Sequence, residues 1–438
     1  MKIAFISQGG LQPRKASGST AIWTDEIIRK LNKEQNVTVY EMDGEMLHSV
    51  KINHEGTQYI YAPKLLNHYL NLCCQKLYRF FEKLSSLEGK SRRPFFSSAF
   101  HNFGYIAWVS LHLRKNPCDI IHVHQFSQYI PILRLLNPKS KIVLHMHCEW
   151  LTQLDTRVMR RRIGQADLII GSSDYITEKT KKFFPEYSVK IKTVYNGVDH
   201  KVFINSCEGE IENRKNYPEL LFVGRVSPEK GIHILIDAIQ KLVVKYPHIH
   251  LNIVGPISPV PRKLLVDLDD EPTVKALARF YESSENGLCD YFKYLKLLTK
   301  KEIKDCITFC GKQPHTKIVG YYQFSDLLIN PSLSESFGMS LVEAMSSGKP
   351  TISTSVGGMV NIVIDGETGL LVEPDNDEAL ADAICFLIER PELRRSMGAA
   401  GRKRIIEKFT WDRVSSKLLE EYQYLIVNGP AKSRKNSP

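Results

Sequence analysis

Two glutamates flank the start of a predicted helix in the segment SLSESFGMSLVEAMSSGKP. Glu335 stands in the polar loop before this helix and Glu343 within it, so the two carboxylates need not share a face. The first backbone amides of the helix, from Gly338 to Ser340, carry a partial positive charge that suits an anionic diphosphate. The pattern indicates a ligand site in which amides bind phosphate and carboxylates bind hydroxyl groups. A capping Glu335 and a solvated Glu343 are the alternative interpretation.

Two cations follow a predicted strand in the segment LFVGRVSPEKG. The strand ends at Gly224, and Arg225 and Lys230 lie in the loop that opens the next helix. Arginine can bind phosphate oxygens in a bidentate way, and lysine supplies a compact charge. The pair suits a departing diphosphate, although basic residues in such loops are common and this motif alone is weak evidence.

Polar residues stand at the carboxyl ends of several predicted strands, where ligands bind in open parallel sheets. His122 and His124 lie in HVHQ, His147 in LHMHCEW, and Asn196 after the strand IKTVY. Histidines two apart on a strand share a face and could ligate a metal, but no carboxylate cluster of suitable spacing accompanies them. We therefore predict hydrogen-bonding roles and no metal site. Satisfied core histidines are the alternative.

Short β-branched strands alternate with amphipathic helices along the chain, beginning with KIAFIS and TAIWTDEIIRKL. This alternation predicts parallel sheets with crossover helices. The stretch from Asp199 to Tyr217 is polar and without pattern, as interdomain linkers are. We predict an α/β protein with two Rossmann-like, doubly wound domains at residues 1–205 and 206–410, followed by a helix at 411–427 and a tail at 428–438.

The composition narrows the classes of partner and compartment. The formal charge of +11 suggests attraction to an anionic partner. Because no nucleic-acid recognition element appears, we expect a membrane surface or a phosphorylated substrate rather than nucleic acid. The nine cysteines are scattered, which is typical of reduced thiols. The first strand lacks the apolar core of a signal peptide, and no window reaches the roughly 18 apolar residues of a membrane span. We expect a cytoplasmic protein.

Two stretches, residues 64–100 and 258–302, interrupt the alternation. The first is rich in aromatic and basic residues, as in YLNLCCQKLYRFFEKL. An apolar and cationic helix face of this kind would dock an acceptor or a membrane. Ordinary packing on the core is the alternative.

Taken together, the motifs resemble glycosyltransferase family 4, a family of retaining GT-B enzymes. The resemblance covers nearly the whole chain and includes GSTAIWTDEIIRKL, NGVD at residues 196–199, GRVSPEKG, SESFGMSLVEA and VGGMVNIVIDGETGLLVEPDN. It implies a GT-B fold whose two domains face a central cleft, with the acceptor on the N-terminal domain and the nucleotide sugar on the C-terminal one. It also implies that the helix at 411–427 crosses back to the N-terminal domain.

The resemblance implies roles for individual residues. Arg225 and Lys230 would stabilise charge on the diphosphate, Glu335 would contact the sugar hydroxyls, and His147 would hydrogen-bond the sugar. Donor-binding roles, with Glu343 on the ribose, fall on Gly18, Ser19, Gly224, Phe337, Gly338, Met339, Ser340 and Glu343. Ser19 departs from the glycine that is usual at its place. Acceptor-side candidates are His122, His124 and Asn196.

The implied reaction transfers a sugar from a nucleotide diphosphate to a hydroxyl acceptor with retention, without metal and without a cofactor. UDP is the commonest donor nucleotide in the family, and the products belong to glycan or glycosylated-metabolite biosynthesis. A dehydrogenase is disfavoured because the first loop lacks G-x-G-x-x-G. A GT-B epimerase or phosphorylase, and a non-catalytic coat or binding protein on this fold, remain as alternatives. The two-glutamate motif with Arg225 and Lys230 favours transfer.

Overall fold

The computed structural model describes residues 1–7, 18–42, 49–63, 69–76, 78, 94–203, 218–281, 291–299 and 301–429. The chain divides into two compact units, one of Met1–Asn196 with Trp411–Pro438 and one of Gly197–Thr410. The predicted boundary stood after residue 205, whereas this division falls after Asn196. The physical reason is that Val198 already belongs to the second unit, since its N–H donates to the carbonyl oxygen of Phe409 over 2.8 Å. Residues 204–217 of the predicted linker lie outside the described residues.

In the described part of the first unit, eight strands form one sheet in the order β3-β4-β2-β1-β5-β6-β7-β8. Neighbouring strands are parallel except β3 and β4, an antiparallel edge pair that the alternation did not predict. Strand β5 is buried at every position, as expected for a sheet covered on both faces. The strands are β1 (Lys2–Ile6), β2 (Asn36–Glu41), β3 (Val50–His54), β4 (Thr57–Tyr61), β5 (Ile120–His124), β6 (Lys141–Met146), β7 (Leu168–Gly171) and β8 (Ile191–Thr193).

Helices connect these strands. They are α1 (Ser19–Leu31), α2 (Phe103–Lys115), α3 (Ile130–Leu136), α4 (Trp150–Gln153), α5 (Thr156–Gly164) and α6 (Asp174–Phe183). The apolar side of α1, including Trp23, Ile27 and Ile28, joins the core formed with β1 and β2. This packing places the start of α1 beside the carboxyl ends of the central strands.

The described strands of the second unit form a six-stranded sheet in the order β11-β10-β9-β12-β13-β14, parallel throughout. The strands are β9 (Glu219–Val223), β10 (His250–Val254), β11 (Ile307–Gly311), β12 (Leu327–Asn330), β13 (Thr351–Thr354) and β14 (Gly369–Val372). The helices are α7 (Ile232–Leu242), α8 (Pro272–Ala276), α9 (Tyr291–Leu298), α10 (His315–Phe324), α11 (Met339–Ser346), α12 (Met359–Ile362), α13 (Asp377–Ile388) and α14 (Pro391–Lys408). Both units are thus Rossmann-like, as predicted.

The last described helix, α15 (Trp411–Asn428), returns to the first unit. It packs on α1, and the Lys30 ammonium lies 2.6 Å from the Asp412 carboxylate. Its buried face carries Leu418 and Tyr422 into the core of the first unit. Residues 430–438 of the predicted tail lie outside the described residues.

The two irregular stretches differ in what the structure describes. Residues 69–76 are helical and leave Tyr69, Leu70 and Leu72 exposed. Residues 64–68, 77 and 79–93 of the first stretch, and 282–290 and 300 of the second, lie outside the described residues. The described part of the second stretch includes Tyr291 and Leu295, which are buried in the core of the second unit. None of the described helices is long and apolar enough to cross a membrane.

Candidate functional site

An ion pair joins the two motifs of the second unit that the sequence analysis treated separately. Strands β9 and β12 are neighbours in the sheet, so the loops at their carboxyl ends lie side by side. Lys230, in the loop after β9, donates from Nζ to Glu335 Oε2 over 2.7 Å, and Glu335 lies in the loop after β12. The Lys230 side chain is only 14% exposed to solvent and the Glu335 side chain only 20%. A cation and a carboxylate are thus held together at the edge where a parallel sheet binds ligands.

The loop that carries Lys230 is fixed directly against the loop after β12. Gly231 has φ +65°, and a Cβ there would lie 2.0 Å from the carbonyl oxygen of Pro331. The N–H of Leu333 donates to the carbonyl oxygen of Glu229 over 2.8 Å. Only glycine permits this approach, so the residue after Lys230 determines how closely the two loops meet.

Arg225 has a partner that the sequence analysis did not single out. Its Nη2 lies 3.3 Å from Glu229 Oε1, and the Ser227 hydroxyl donates to the other oxygen of the same carboxylate. Glu229 is buried, while Arg225 keeps 46% of its side-chain exposure. Glu229 therefore orients a guanidinium that still faces solvent. The position of Glu229 between Arg225 and Lys230 in RVSPEK was the sequence signal that could have identified it.

The backbone around Glu335 is held by the loop before α12. The N–H of Gly358 donates to the carbonyl oxygen of Glu335 over 2.9 Å. Gly357 has φ +55°, and a Cβ there would lie 1.8 Å from the same oxygen. The VGGM segment thus positions Glu335.

Helix α11 begins beyond this carboxylate, with Gly338 as its N-cap and no capping side chain among the described residues. Glu335 is therefore not a helix cap, which removes one alternative interpretation of the motif.

The Phe337 side chain is buried, with its ring 5.9 Å from that of Phe409, so a ligand would meet Phe337 through its backbone. The Ser340 hydroxyl accepts from Asn330 Nδ2 over 3.3 Å. Met339 is the first residue of α11.

Glu343, farther along α11, is bound by a buried phenol. Tyr322 donates from its hydroxyl to Glu343 Oε2 over 2.6 Å. Burial, together with the neighbouring carboxylate, raises the pKa of Tyr322 well above its ordinary value. Glu343 is only half-buried, so one side of its carboxylate is positioned while the residue stays open to solvent.

Four histidines gather at the carboxyl ends of β5 and β6 in the first unit. His124 and His145 are paired in the register of these strands. His122, His124 and His145 are at most 1% exposed, and His147 is 9% exposed. The four rings surround Trp23 at centroid distances between 4.6 and 5.9 Å. Sequence analysis did not single out His145 or Trp23.

Hydrogen bonds connect three of these histidines to other elements. His122 Nδ1 lies 2.6 Å from the hydroxyl of Tyr422 on α15. His124 Nδ1 lies 3.0 Å from His147 Nε2, and His124 Nε2 lies 3.1 Å from Thr24 Oγ1 on α1. His122, a predicted acceptor-side residue, is fully buried and bonded to a core tyrosine, so it is placed in the interior.

Burial keeps the whole cluster neutral. It lowers the pKa values of His122, His124 and His145 well below the ordinary value. It lowers the pKa of His147 to about 3, with the Asn196 side chain acting in the opposite direction. At neutral pH these side chains therefore form hydrogen bonds as uncharged imidazoles.

Three of the histidines could also be considered as metal ligands. One ring nitrogen each of His122, His124 and His145 lies within 4.8 Å of the others. Both nitrogens of His124 already have hydrogen-bond partners, so a metal would have to displace one of them. The predicted absence of a metal site stays a prediction.

The remaining predicted residues lie at the ends of elements. Gly18 precedes α1 with φ +90°, and none of the described atoms lies within 4 Å of a Cβ built on it. Ser19, the exposed first residue of α1, follows. Residues 8–17, which complete this loop, lie outside the described residues. Asn196 is buried at the end of the first unit, and Gly224 donates its N–H to the carbonyl oxygen of Val254 over 2.9 Å.

Two family models match the chain. "Glycosyltransferase Family 4" matches residues 66–202, and "Glycosyl transferases group 1" matches residues 208–404. An uncharacterized glycosyltransferase of Methanocaldococcus jannaschii is 31% identical over 70% of this chain and 76% of its own. Spore coat protein SA of Bacillus subtilis is 27% identical over 72% of this chain and 81% of its own.

A solved structure shows the same fold. The Anabaena protein HepE in complex with UDP and glucose superposes with a TM-score of 0.67 at 18% identity, covering 97% of this chain and all of that one. The fold is therefore GT-B, consistent with two Rossmann-like units. From the family matches and the archaeal relative, the chain belongs to glycosyltransferase family 4 and is a glycosyltransferase that uses a nucleotide-sugar donor.

Proposed function

We propose that the chain is a retaining, metal-independent hexosyltransferase that moves a sugar from UDP to a hydroxyl acceptor. The observation that carries the proposal is the Lys230–Glu335 ion pair, with Arg225 held by Glu229 in the same loop. This arrangement offers cations to a diphosphate and a carboxylate to sugar hydroxyls. UDP is supported by the HepE complex, which holds UDP and glucose on the same fold.

The proposed chemistry exchanges one bond at the anomeric carbon for another. The bond from this carbon to the diphosphate oxygen breaks, and the acceptor oxygen bonds to the carbon from the same face, so the configuration is kept. The departing phosphate oxygen takes the acceptor proton. Arg225 and Lys230 stabilise the negative charge that develops on the diphosphate, which supplies the electrostatic role that a metal has in other transferases. Glu335 binds Lys230 and sugar hydroxyls and does not act as a nucleophile of the kind that retaining hydrolases use.

Donor binding and mechanism can be tested with one assay series. A panel of sugar nucleotides is screened for thermal stabilisation and for slow hydrolysis, with EDTA and without it, and the product anomer is identified by NMR. We expect a UDP-sugar to stabilise the protein, EDTA to have no effect, and the Glu335→Ala variant to lose at least about tenfold in hydrolysis. Failure of every nucleotide to bind, or an unaffected variant, would overturn the donor site. An inverted product or an activity restored by a divalent ion would overturn the corresponding part of the proposal.

Two other functions on this fold are separated by the same assays. A relative named spore coat protein SA motivates a non-catalytic coat or binding role. Such a protein could bind the nucleotide without hydrolysing it. A GT-B epimerase would instead release an altered sugar nucleotide or a free epimer without an acceptor. The intact Lys230–Glu335 pair favours transfer over the coat role.

We further propose action in the cytoplasm at the inner face of the membrane, with a product in glycan or glycosylated-metabolite biosynthesis. The support is the charge of +11 and the exposed apolar side chains Tyr69, Leu70 and Leu72. In a flotation assay, liposomes that contain anionic lipid should carry the protein with them. The double variant Leu70→Ser, Leu72→Ser should reduce the fraction of protein that floats. An absence of flotation with anionic and with neutral vesicles would contradict membrane association.

A further inference from the structure

We propose that the first unit has a second ligand site, a cavity at the amino ends of its central strands that binds a small phosphorylated compound with hydroxyl groups, such as a sugar phosphate. The cavity lies between the sheet and the end of α2 and has a volume of about 370 Å³, which suits a small molecule. Strand β1 has five residues, so its amino end lies about 13 Å from the carboxyl end, where the histidines gather. The cavity is therefore separate from the residues assigned to sugar transfer.

The cavity exists because short side chains face α2 where the strands begin. Ala4 on β1 pairs with Thr38 on β2, and Thr38 pairs with Gln58 on β4, so these side chains lie on one face of the sheet. Ala4 and Thr38 are too short to fill the space beneath α2. Tyr40, two residues after Thr38, lies on the same face, and its hydroxyl is 2.9 Å from His112 Nδ1 on α2. This contact joins the sheet to the helix beside the cavity.

Positive charge surrounds the cavity. Lys2 on β1 and Lys115, the last residue of α2, line it, and none of the described lining residues is acidic. Lys51 on β3 lies on the same face of the sheet, because its strand partner Ile60 pairs in turn with Tyr40. None of the three ammonium groups forms an ion pair with another described residue. An anion in the cavity would therefore meet cations that no described carboxylate neutralises.

His112, in the wall of the cavity, is affected by the same charges. Burial lowers the pKa of His112 below its ordinary value, and the charges of Lys51 and Lys115 lower it further. Like charges act in this direction, because they disfavour the protonated imidazole. The potential at the wall of the cavity is therefore positive, as an anion site requires.

Two nearby groups of opposite polarity are already occupied. The carbonyl oxygens at the end of a helix favour cations, but the N–H of Asn116 donates to those of His112 and Leu113 over 3.0 and 3.1 Å. The Asp119 carboxylate accepts the backbone N–H of Lys2 at Oδ2 over 2.7 Å. These bonds reduce the negative potential that the helix end and the carboxylate would otherwise add to the cavity.

The uncharged polar groups in the lining favour a ligand with hydroxyl groups. Asn36, which pairs with Lys2, and Gln58, which pairs with Thr38, place side-chain amides beside the cations. An amide can both donate to and accept from a hydroxyl group. A phosphate ion would engage the lysines alone, whereas a sugar phosphate would also form hydrogen bonds with the amides.

Binding can be followed at the cavity itself in the full chain. Protein labelled with 13C-histidine gives ring signals for its histidines in NMR spectra, and the His112→Gln variant identifies the His112 signal. The protein is titrated separately with glucose 6-phosphate, inorganic phosphate and glucose. We expect a saturable shift of the His112 signal with glucose 6-phosphate, an affinity at least about tenfold lower for phosphate, and no saturable shift with glucose.

Each other outcome contradicts a stated part of the proposal. An unchanged His112 signal with both phosphate compounds would overturn the site. Equal affinities for glucose 6-phosphate and phosphate would overturn recognition of the sugar, and a glucose affinity equal to that of glucose 6-phosphate would overturn recognition of the anion. Failure of every nucleotide to bind would overturn the proposed function and leave this titration unchanged.

Two pairs of lysines separate the cavity from the overall charge. The double variant Lys2→Gln, Lys115→Gln should weaken the binding of glucose 6-phosphate by at least about tenfold. The double variant Lys139→Gln, Lys182→Gln removes the same charge at two exposed positions of the first unit outside the cavity lining, and should alter the affinity by less than about twofold. Equal losses in the two double variants would show that the net charge, not the cavity, attracts the ligand.

Discussion

Lys230 and Glu335 form an ion pair in which Nζ lies 2.7 Å from Oε2, and the pair ties the loop after β9 to the loop after β12. Each group neutralises the other in the unliganded protein. A donor diphosphate would therefore compete with Glu335 for Lys230, while sugar hydroxyls would compete with Lys230 for Glu335. On the proposed function, the pair would hold a cation ready for the diphosphate and a carboxylate ready for the sugar hydroxyls.

Because a diphosphate would compete with Glu335 for Lys230, we predict that replacing Lys230 and replacing Glu335 have opposite effects on the binding of free UDP. Lys230→Ala removes a charge-assisted hydrogen bond and should weaken UDP binding by about 10- to 100-fold. Glu335→Gln removes the competitor and should leave UDP binding unchanged or a few-fold tighter, while turnover with the UDP-sugar falls at least about tenfold. Isothermal titration calorimetry with UDP measures the first effect and initial rates the second.

A second lysine provides the matched control for that experiment. Lys241 forms a surface ion pair with Asp377 at 3.0 Å and keeps 45% of its side-chain exposure. Lys241→Ala changes the net charge equally, so it should alter UDP affinity by less than about twofold. Equal losses in the two lysine variants would mean that overall charge, not the loop after β9, attracts the nucleotide.

Gly357 should be intolerant of a side chain because it lies against the backbone of Glu335. A Cβ at Gly357 would lie 1.8 Å from the Glu335 carbonyl oxygen, whereas a Cβ at Gly366, which is also at positive φ, would have no described atom within 4 Å. Gly366→Ala carries only the conformational cost of about 1 kcal/mol. Gly357→Ala adds the displacement of Glu335, so we expect a loss of about 3 kcal/mol or more in unfolding free energy, together with weakened donor binding. Denaturant unfolding and calorimetry of both variants test this, and equal effects would contradict the proposed support of Glu335.

The alternation of strands and helices predicted both sheets because the pattern of apolar residues follows local secondary structure. It did not predict the edge pair β3 and β4, because these two strands are antiparallel and follow each other across a short turn, whereas alternation of strands with helices predicts only parallel neighbours. The domain boundary also differed, because the bond from Val198 to Phe409 joins residues far apart in sequence. Polar composition marked a linker without showing where the first unit ends.

The candidate site was predicted in parts, and the links between those parts were not. Spacing drew attention to Arg225, Lys230, Glu335 and Glu343, but it did not show that Glu229 and Tyr322 orient two of them. The histidines on the two strands were visible in the sequence as a polar edge. Their burial depends on Trp23 from α1 and on Tyr422 from α15, and no local pattern relates these residues.

Glu343 should contribute to recognition of the ribose. Tyr322 positions its Oε2 and so fixes the orientation of the carboxylate, which would accept from the ribose hydroxyls on the proposed function. Glu343→Gln should weaken the binding of UDP by about tenfold and the binding of 2′-deoxy-UDP by much less, because the lost hydrogen bonds are to ribose hydroxyls. Tyr322→Phe should also weaken the binding of UDP more than that of 2′-deoxy-UDP, by a smaller factor. Competition binding with the two nucleotides measures the ratio, and a ratio unchanged in Glu343→Gln would place the ribose elsewhere.

The buried histidines predict that acid destabilises the first unit. Their pKa values in the folded state are lowered, that of His147 to about 3, whereas an unfolded histidine titrates near 6.5. Below about pH 6.5 the unfolded chain binds more protons, so the unfolding free energy decreases as the pH falls towards the folded-state values. Each such histidine contributes up to about 1.4 kcal/mol per pH unit in this window.

Tryptophan fluorescence can follow this unfolding in the full chain because all four tryptophans, Trp23, Trp108, Trp150 and Trp411, belong to the first unit. Denaturant titrations between pH 6.5 and 5 should give a steep decline in unfolding free energy. His145 is the residue to replace, because both of its ring nitrogens lack partners among the described residues. His145→Leu removes one titrating group without breaking a described hydrogen bond, so it should reduce the slope by up to about 1.4 kcal/mol per pH unit. An equal slope in wild type and variant would show that His145 binds a proton in the folded state as readily as in the unfolded one.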